Sequence, residues 1–440
     1  MGKQHVSSSR ICYLNLGFLG QSYAWGLFYV FMSPIFEYLG AKPNQISGLW
    51  LAGPVMGIIT QIVVGKWSDW CWTRFGRRRP FILVGAVVVF VCFLFMIYSS
   101  SLVFVIILFW IMMTAANLMQ GPYRALIADV LPSEQMSTGF IVQYMFAGIG
   151  TTLAFFSPWI LSHLGVTDVS HIDHIPLIAK LSFEIGAVIL LVTVFVSCAC
   201  TKELPPENME EFKINKKREL NLIYATSEIF GGIFKMPKIM WQMSLAMFFS
   251  CLGTFLMSIY FAPAVAENIY GASVGSTLYT KGVVWAGFLF AMYSVFSVIF
   301  SLFMPWITKY ISLKILFSIT MLIGGVALIC LLFIKNPILL LVPMIGVGIM
   351  YAGNQSIPFA IIGDSSKDED VGTSMGIFNI FTTLPQMFVS IFFGFFMIRY
   401  LGNNSLYAVA IGGVFLLISA VCALFIQYKG SKKGIKFSEM

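Results

Sequence analysis

The sequence predicts an all-α polytopic membrane protein: twelve transmembrane helices arranged in two six-helix halves. Three observations lead there. Hydrophobic residues make up 58% of the 440 and charged residues only 10%, whereas a soluble domain carries ~25% charged residues. Apolar runs long enough for a span of ~20 residues recur along the whole chain. A short pattern near the end of the fourth run returns near the end of the tenth, at an interval close to half the chain.

The runs cover residues 11–38, 46–66, 81–99, 102–129, 138–162 and 176–200, then 240–266, 282–305, 314–334, 338–363, 373–400 and 405–428. Several exceed the minimum length, which implies tilt or short extensions beyond the bilayer. None alternates with the two-residue period of a barrel strand. The first run is long enough to remain as a span, so no cleavable leader is predicted. Val6 stands where a lipidation signal after Gly2 would need Ser or Thr. The longest polar stretch begins at Thr201 and includes Pro205 and Pro206. The chain therefore divides into 1–200, a linker over 201–236, and 237–440. Within the linker, Ile223, Phe230 and Phe234 are spaced for a helix lying on the membrane surface.

The net charge of +8 is distributed by side. Lys3 and Arg10, then Lys66, Arg74, Arg77, Arg78 and Arg79, the linker lysines, and Lys429, Lys432, Lys433 and Lys436 fall on one side. Lys42, Lys180, Lys281, Lys335 and Arg399 fall on the other. Positive residues concentrate on the cytoplasmic side, so both termini and the linker are expected there, in a cell (inner) membrane. The charge is a topology signal, and nucleic acid is not an expected partner. The eight cysteines form no CxxC pair and sit mostly in apolar runs, as small buried hydrophobes do. His163, His171 and His174 crowd one outer loop, but their spacing is too weak for a metal site. With no phosphate loop and no nucleophile elbow, neither an enzyme nor a cofactor is predicted.

The repeat supports the two halves. Span 4 ends Gly121-Pro122-Tyr123-Arg124-Ala125-Leu126-Ile127-Ala128-Asp129, and span 10 ends Ile357-Pro358-Phe359-Ala360-Ile361-Ile362-Gly363-Asp364. Helix starts rich in small residues follow, Ser137-Thr138-Gly139 and Thr373-Ser374-Met375-Gly376. The most specific motif joins spans 2 and 3: Gly65-Lys66-Trp67-Ser68-Asp69-Trp70-Cys71-Trp72-Thr73-Arg74-Phe75-Gly76-Arg77-Arg78-Arg79-Pro80. An acid and an arginine cluster on a short loop can make charge-assisted hydrogen bonds across a gate. Asp69, Arg74, Arg77, Arg78 and Asp129 are the expected gating residues.

Polar side chains inside spans are expensive and point to a site. Asn117, Gln120 and Arg124 follow i, i+3, i+7 and share one helix face. On span 11, Asn379, Thr382, Thr383 and Gln386 form a second polar stripe. Asn354 and Gln355 precede Pro358, where a broken helix frees backbone groups, and Gln143 adds an amide from span 5. Amides and a guanidinium suit hydroxyl-rich ligands, because they offer several donors and acceptors. Tyr23, Trp25, Phe28, Tyr144 and Trp285 are aromatic candidates for stacking on a ring. The expected substrate-binding residues are Tyr23, Asn117, Gln120, Arg124, Gln143, Asn354, Gln355, Asn379 and Gln386.

With these motifs the chain resembles the glycoside–pentoside–hexuronide:cation symporters of the major facilitator superfamily, in the branch of plant sucrose transporters and bacterial α-glucoside permeases. Beyond the loop, the resemblance rests on Leu51-Ala52-Gly53-Pro54, Gln120-Gly121-Pro122-Tyr123-Arg124-Ala125, Ser157-Pro158-Trp159 and Met375-Gly376-Ile377-Phe378-Asn379. It implies the major facilitator fold, alternating access, and transport of a sugar such as sucrose or maltose, coupled to protons or another cation. The alternatives are an uncoupled facilitator or exchanger of another small polar solute, a transporter-like sensor, and a membrane-embedded enzyme. Two departures stand out. Met113 occupies the position where relatives carry the proton-carrying Asp of span 4, and Gln21-Ser22-Tyr23 alters the usual spacing of a glutamine in span 1. Among the remaining acids, Glu37 and Glu267 fall at outer span ends and are expected to be wet. Glu184 lies well inside span 6, where desolvation would suit a replacement proton carrier.

Overall fold

The computed structural model describes residues 5–69, 71–166, 175–203, 236–365 and 371–428. The apolar runs form twelve long helices: α1 (Gly17–Tyr38), α2 (Ala52–Asp69), α3 (Arg79–Ile97), α4 (Leu102–Val130), α5 (Ser133–His163), α6 (Leu177–Cys200), α7 (Lys238–Ala264), α8 (Thr277–Ile307), α9 (Leu313–Cys330), α10 (Leu341–Ser365), α11 (Val371–Tyr400) and α12 (Ser405–Leu424). Among the described residues, ten of these segments are long and apolar enough to cross a membrane by length and composition; α1 and α2 are not among the ten. The chain is an integral, multi-pass membrane protein.

Local chemistry sets the helix ends. The Ser101 side chain accepts from Phe104 N–H at the start of α4, Ser276 from Tyr279 N–H at the start of α8, and Asn404 from Leu406 and Tyr407 N–H at the start of α12. Each satisfies amides that a helix leaves unpaired in its first turn. Pro80 occupies the first turn of α3, where its missing N–H costs nothing.

Two expectations about the spans are corrected. The first run is broken into Ser8–Asn15 and α1, and the second into Pro43–Leu49 and α2. The breaks fall at Leu16 and at Trp50–Leu51, apolar residues that a hydropathy run carries straight through. The expected linker helix, residues 204–235 of the linker, Asp168, His171 and His174, and the side chains of Asp69, Asp364 and Asn379 lie outside the described residues.

Packing repeats between the two groups. In the first, α1 packs on α5 and α6, α3 on α4 and α6, and α2 on α4. In the second, α7 packs on α11 and α12, α9 on α10 and α12, and α8 on α10. Each pairing in one group has its counterpart six helices later. Close approach of backbones underlies the tightest of them. A Cβ on Gly253 of α7 would lie 2.5 Å from the Gly412 carbonyl oxygen of α12, and one on Gly20 of α1 would lie 2.6 Å from Leu190 Cα of α6. Small residues are what allow membrane helices to touch backbone to backbone.

The groups meet along α5 with α8 and along Pro43–Leu49 with α11. Aromatic pairs bridge α5 and α8: Phe155 with Phe290 at 5.3 Å, and Trp159 with Phe288 at 5.3 Å between ring centroids. Hydrogen bonds between the groups gather at the end opposite the arginine loop. Tyr38 pairs with Thr280 at 3.0 Å, the Tyr279 hydroxyl bonds to Glu37, and the Tyr260 hydroxyl donates to the Pro43 carbonyl at 3.0 Å. We call this the far end, and the end carrying Arg74–Arg79 the basic end.

Candidate central cavity and charged gate

Between the two groups lies a cavity with two adjoining lobes. The smaller, about 360 Å³, is lined by Ser22, Trp25 and Tyr29 of α1, Asn117 and Gln120 of α4, Thr151 and Phe155 of α5, and Thr383 and Gln386 of α11, among others. The larger, about 650 Å³, is lined by Arg124, Tyr144, Thr254, Ser258, Asn354, Gln355, Thr382 and Gln386 with several aromatic rings. Tyr29, Phe255, Tyr293, Tyr351, Gln355 and Gln386 border both. Small-molecule sites fall at ~300–1,000 Å³, so either lobe suffices. The larger lobe lies toward the basic end, where Tyr144 is 71% exposed, whereas Tyr260, Tyr279 and Glu37 at the far end are buried.

The lining is a mixture of hydrogen-bonding groups and flat rings. Tyr29 stacks on Trp50 with centroids 5.9 Å apart and planes 4° from parallel, and the Trp50 indole N–H donates to Ser33 at 2.9 Å, which fixes this face. The Asn117 amide donates to the Met113 carbonyl at 2.8 Å, one turn back on α4. Gln355 Nε2 donates to the Tyr351 hydroxyl at 3.4 Å, and the Ser250 hydroxyl donates to Asn354. Trp25 has a buried indole N–H with no hydrogen-bond partner among the described residues. A bound oxygen acceptor would satisfy it. No Asp or Glu lines either lobe among the described residues, and Arg124 is the one charged side chain in the lining.

The expected site residues fall into two sets. Asn117, Gln120, Arg124, Asn354, Gln355 and Gln386 are brought together in the cavity lining. Tyr23 and Gln143 are not. Tyr23 is 2% exposed and packs where a Cβ on Gly186 of α6 would meet its ring at 3.0 Å, and Gln143 is buried outside the lining. Of the aromatic candidates, Trp25 and Tyr144 line the cavity. Phe28 packs on Phe93 and Phe109, and Trp285 donates to the Pro337 carbonyl. Ser22, Tyr29, Trp50, Thr151, Tyr293 and Tyr351 were not expected. Ser22, Trp25 and Tyr29 follow i, i+3, i+7, the same spacing that marks the polar face of α4, and that spacing was the available signal.

Two expectations about acids are corrected. Glu184 does not face the cavity: it is half-buried on α6 and accepts from the hydroxyl of exposed Tyr98 at 2.5 Å. Glu37 is not wet: it is 4% exposed. In both cases apolar neighbours in sequence do not reveal which way the helix face turns.

At the basic end the arginine loop is tied down. Asp129 of α4 accepts from Arg77 at 2.6 Å and Arg78 at 3.0 Å, and Arg78 also donates to Ser68 at 2.6 Å. Arg74 is exposed and lies over the Phe75 ring at 4.8 Å instead. Gly76 turns the loop at φ +106°, and a Cβ there would lie 2.5 Å from Glu203 Oε1. Glu203, which follows α6, had no sequence signal. Its carboxylate accepts from the backbone N–H groups of Arg77 (2.7 Å), Arg78 (2.9 Å) and Arg79 (3.0 Å). An anion at a helix N-terminus satisfies orphan amides and the helix dipole together. Glu203→Ala is expected to lower the thermal midpoint of purified protein, consistent with a loss of about 2 kcal/mol for charged hydrogen bonds. An unchanged midpoint would contradict this role.

The family model of the Major Facilitator Superfamily matches residues 14–288 and 243–439. The chain belongs to this superfamily. Among curated proteins, sucrose transport protein SUC4 of Arabidopsis thaliana is 24% identical over 450 residues, covering 92% of this chain and 87% of the relative. Sucrose transport protein SUT5 of Oryza sativa subsp. indica is 22% identical and covers 92% of this chain and 85% of the relative. Two solved structures share the superfamily fold. The nucleoside transporter NupG aligns with a TM-score of 0.69 at 14% identity, covering 96% of this chain and all of its own, 100%. A bacterial homolog of the human lysosomal transporter Spinster, inward-facing and occupied, aligns with a TM-score of 0.68 at 14% identity, over 95% of this chain and 96% of its own.

Proposed function

We propose that this protein is a secondary transporter that moves a sugar, an α-glucoside or disaccharide such as sucrose or maltose, by alternating access. The observation that carries the reading is the cavity itself. It sits between two groups of helices with the same internal packing, is bordered by both, and is sealed at the far end. Its amides and hydroxyls match a polyol, its rings match the apolar faces of a pyranose, and its Trp25 indole N–H, unpartnered among the described residues, can donate to a bound oxygen. The relatives named as sucrose transport proteins support the same substrate class. The two halves, 1–200 and 237–440, act as the bodies that rock about the cavity, as in other transporters built from repeats.

The positive-inside rule makes the basic end cytoplasmic, so both termini and the linker face the cytoplasm and the conformation is inward-open. A cysteine introduced at Leu164, at the far end of α5, is then expected to react with an impermeant thiol reagent from outside only. Labelling from the cytoplasmic side alone would overturn the orientation.

Within the gate, Asp129 holds Arg77 and Arg78, and the Arg loop controls exchange between conformations rather than sugar contact. Asp129→Asn is expected to slow transport several-fold while sugar binding to purified protein stays within about twofold. Equal losses of both would count against a gating role.

Coupling to a cation is part of the proposal, and a specific observation favours a second reading. Met113 cannot carry a proton, and no carboxylate lines the cavity among the described residues. An uncoupled facilitator or exchanger fits that lining. Sugar uptake into proteoliposomes with and without an imposed proton gradient separates the two: accumulation above equilibrium supports coupling, and equilibration alone supports the facilitator.

A further inference from the structure

The far end of the bundle holds a carboxylic acid that the transport reading does not use. Glu37 is the second-last residue of α1 and is 4% exposed. Its Oε2 accepts from the Tyr279 hydroxyl of α8, so this contact joins the two groups of helices. Its Oε1 is buried with no hydrogen-bond partner among the described residues. No Lys or Arg pairs with it among those residues; the charged group acting on it is another acid, Glu267, in the turn after α7. The other titratable groups that face it are Tyr38 beside it on α1, Tyr279 on α8 and Tyr260 on α7. The short helix Pro43–Leu49, which packs against α1 and α7, carries no titratable side chain. Lys42 and Lys281, at the same end, are exposed.

Burying an ionised carboxylate without a cation is costly, whereas the neutral acid largely escapes that cost. The arrangement therefore favours a protonated Glu37 whenever the two groups are closed at the far end. When they part there, Tyr279 leaves with α8 and water reaches the carboxyl, which removes the cost of ionising it. We propose that Glu37 is a proton-binding site at the far gate, filled when the gate closes and emptied when it opens. The idea rests on alternating access, not on the identity of the sugar.

The sign follows from linkage. The far-closed form binds one proton more than the far-open form, so lowering pH favours closure and raising pH favours opening. One linked proton changes the ratio of the two forms by at most about tenfold per pH unit. Glu267 is the neighbour that complicates this. It is less buried than Glu37 and belongs to the same acid pair, so its removal should shift the midpoint of the response without removing it.

The test needs no sugar. Spin labels are placed at Lys42→Cys and Val274→Cys, both exposed at the far end, in a background with the native cysteines replaced. Their distance distribution is measured by double electron–electron resonance from pH 5 to pH 9. The long-distance, far-open population should grow with pH in the parent protein. Glu37→Gln, a neutral near-isostere, should hold the short distance throughout. Glu267→Gln should keep a response with a displaced midpoint. A pH-independent distribution in the parent, or a full response surviving in Glu37→Gln, would overturn the site. A single distance population under every condition, with sugar added as well, would instead mean that alternating access itself is wrong.

Discussion

Arg124→Ala is expected to abolish sugar uptake, with a loss of at least about 100-fold. Arg124 lines the larger lobe, is the one charged side chain there, and has no hydrogen bond or ion pair to any described residue. Asp129, one turn on from it, is occupied by Arg77 and Arg78 instead. A guanidinium held in a membrane bundle with no partner among the described residues is available to a ligand. Two charge-assisted hydrogen bonds at about 1.5–3 kcal/mol each account for a loss of that size. Arg124→Lys should recover little, because a point charge does not replace a planar fork. Binding measured on purified protein should fall in parallel with uptake, which distinguishes a ligand contact from a gating role. Uptake near the parent level in Arg124→Ala would assign the residue to structure alone.

Gly287→Leu is expected to hold the far end open and to cut uptake at least about tenfold while the protein still folds. Gly287 of α8 faces the first group of helices: a Cβ there would lie 3.0 Å from Pro158 Cγ, 3.1 Å from the Phe155 carbonyl oxygen and 3.4 Å from Val30 Cγ1. A leucine side chain extends further than that space allows, and overpacking a close contact costs about 1–3 kcal/mol. The cost is relieved if α8 moves away from α1 and α5, which is the motion that opens the far end. About 1.4 kcal/mol already shifts the two conformations tenfold. The readout is a cysteine at Gln355 in the cavity, with native cysteines replaced. It should become reactive to an impermeant reagent from the far side in Gly287→Leu. Gly287→Ala, which adds only the Cβ, should have a smaller effect. Normal uptake in the leucine variant would show that this contact is not part of the closed state.

Much of the fold was legible in the sequence because membrane helices must satisfy their backbone internally. Apolar length therefore reports helix existence directly, and the Gly121–Asp129 and Ile357–Asp364 segments reveal the repeat. The polar stripe Asn117, Gln120, Arg124 was legible for a related reason: a polar side chain in a span has few places to go other than the interior. The aromatic half of the cavity was not. Tyr23 and Tyr29 both lie on α1, and either could face lipid, a neighbour or the cavity. Their directions are set by where Gly20 meets α6 and Gly26 meets Ala154 of α5, contacts that depend on tertiary packing. The same blindness affected Glu184 and Glu37, whose apolar surroundings in sequence look alike. Glu203 was hidden for a different reason. It acts on backbone N–H groups across a gap of more than 120 residues, and such acceptors leave no residue-type pattern.

The most direct measurement is uptake of radiolabelled sucrose and of maltose into proteoliposomes containing the purified protein, beside Arg124→Ala and empty liposomes. The account predicts saturable uptake of at least one of the sugars, competed by the unlabelled sugar and lost in Arg124→Ala. Sugar entry no faster than into empty liposomes, from protein that still carries another polar solute, would contradict it.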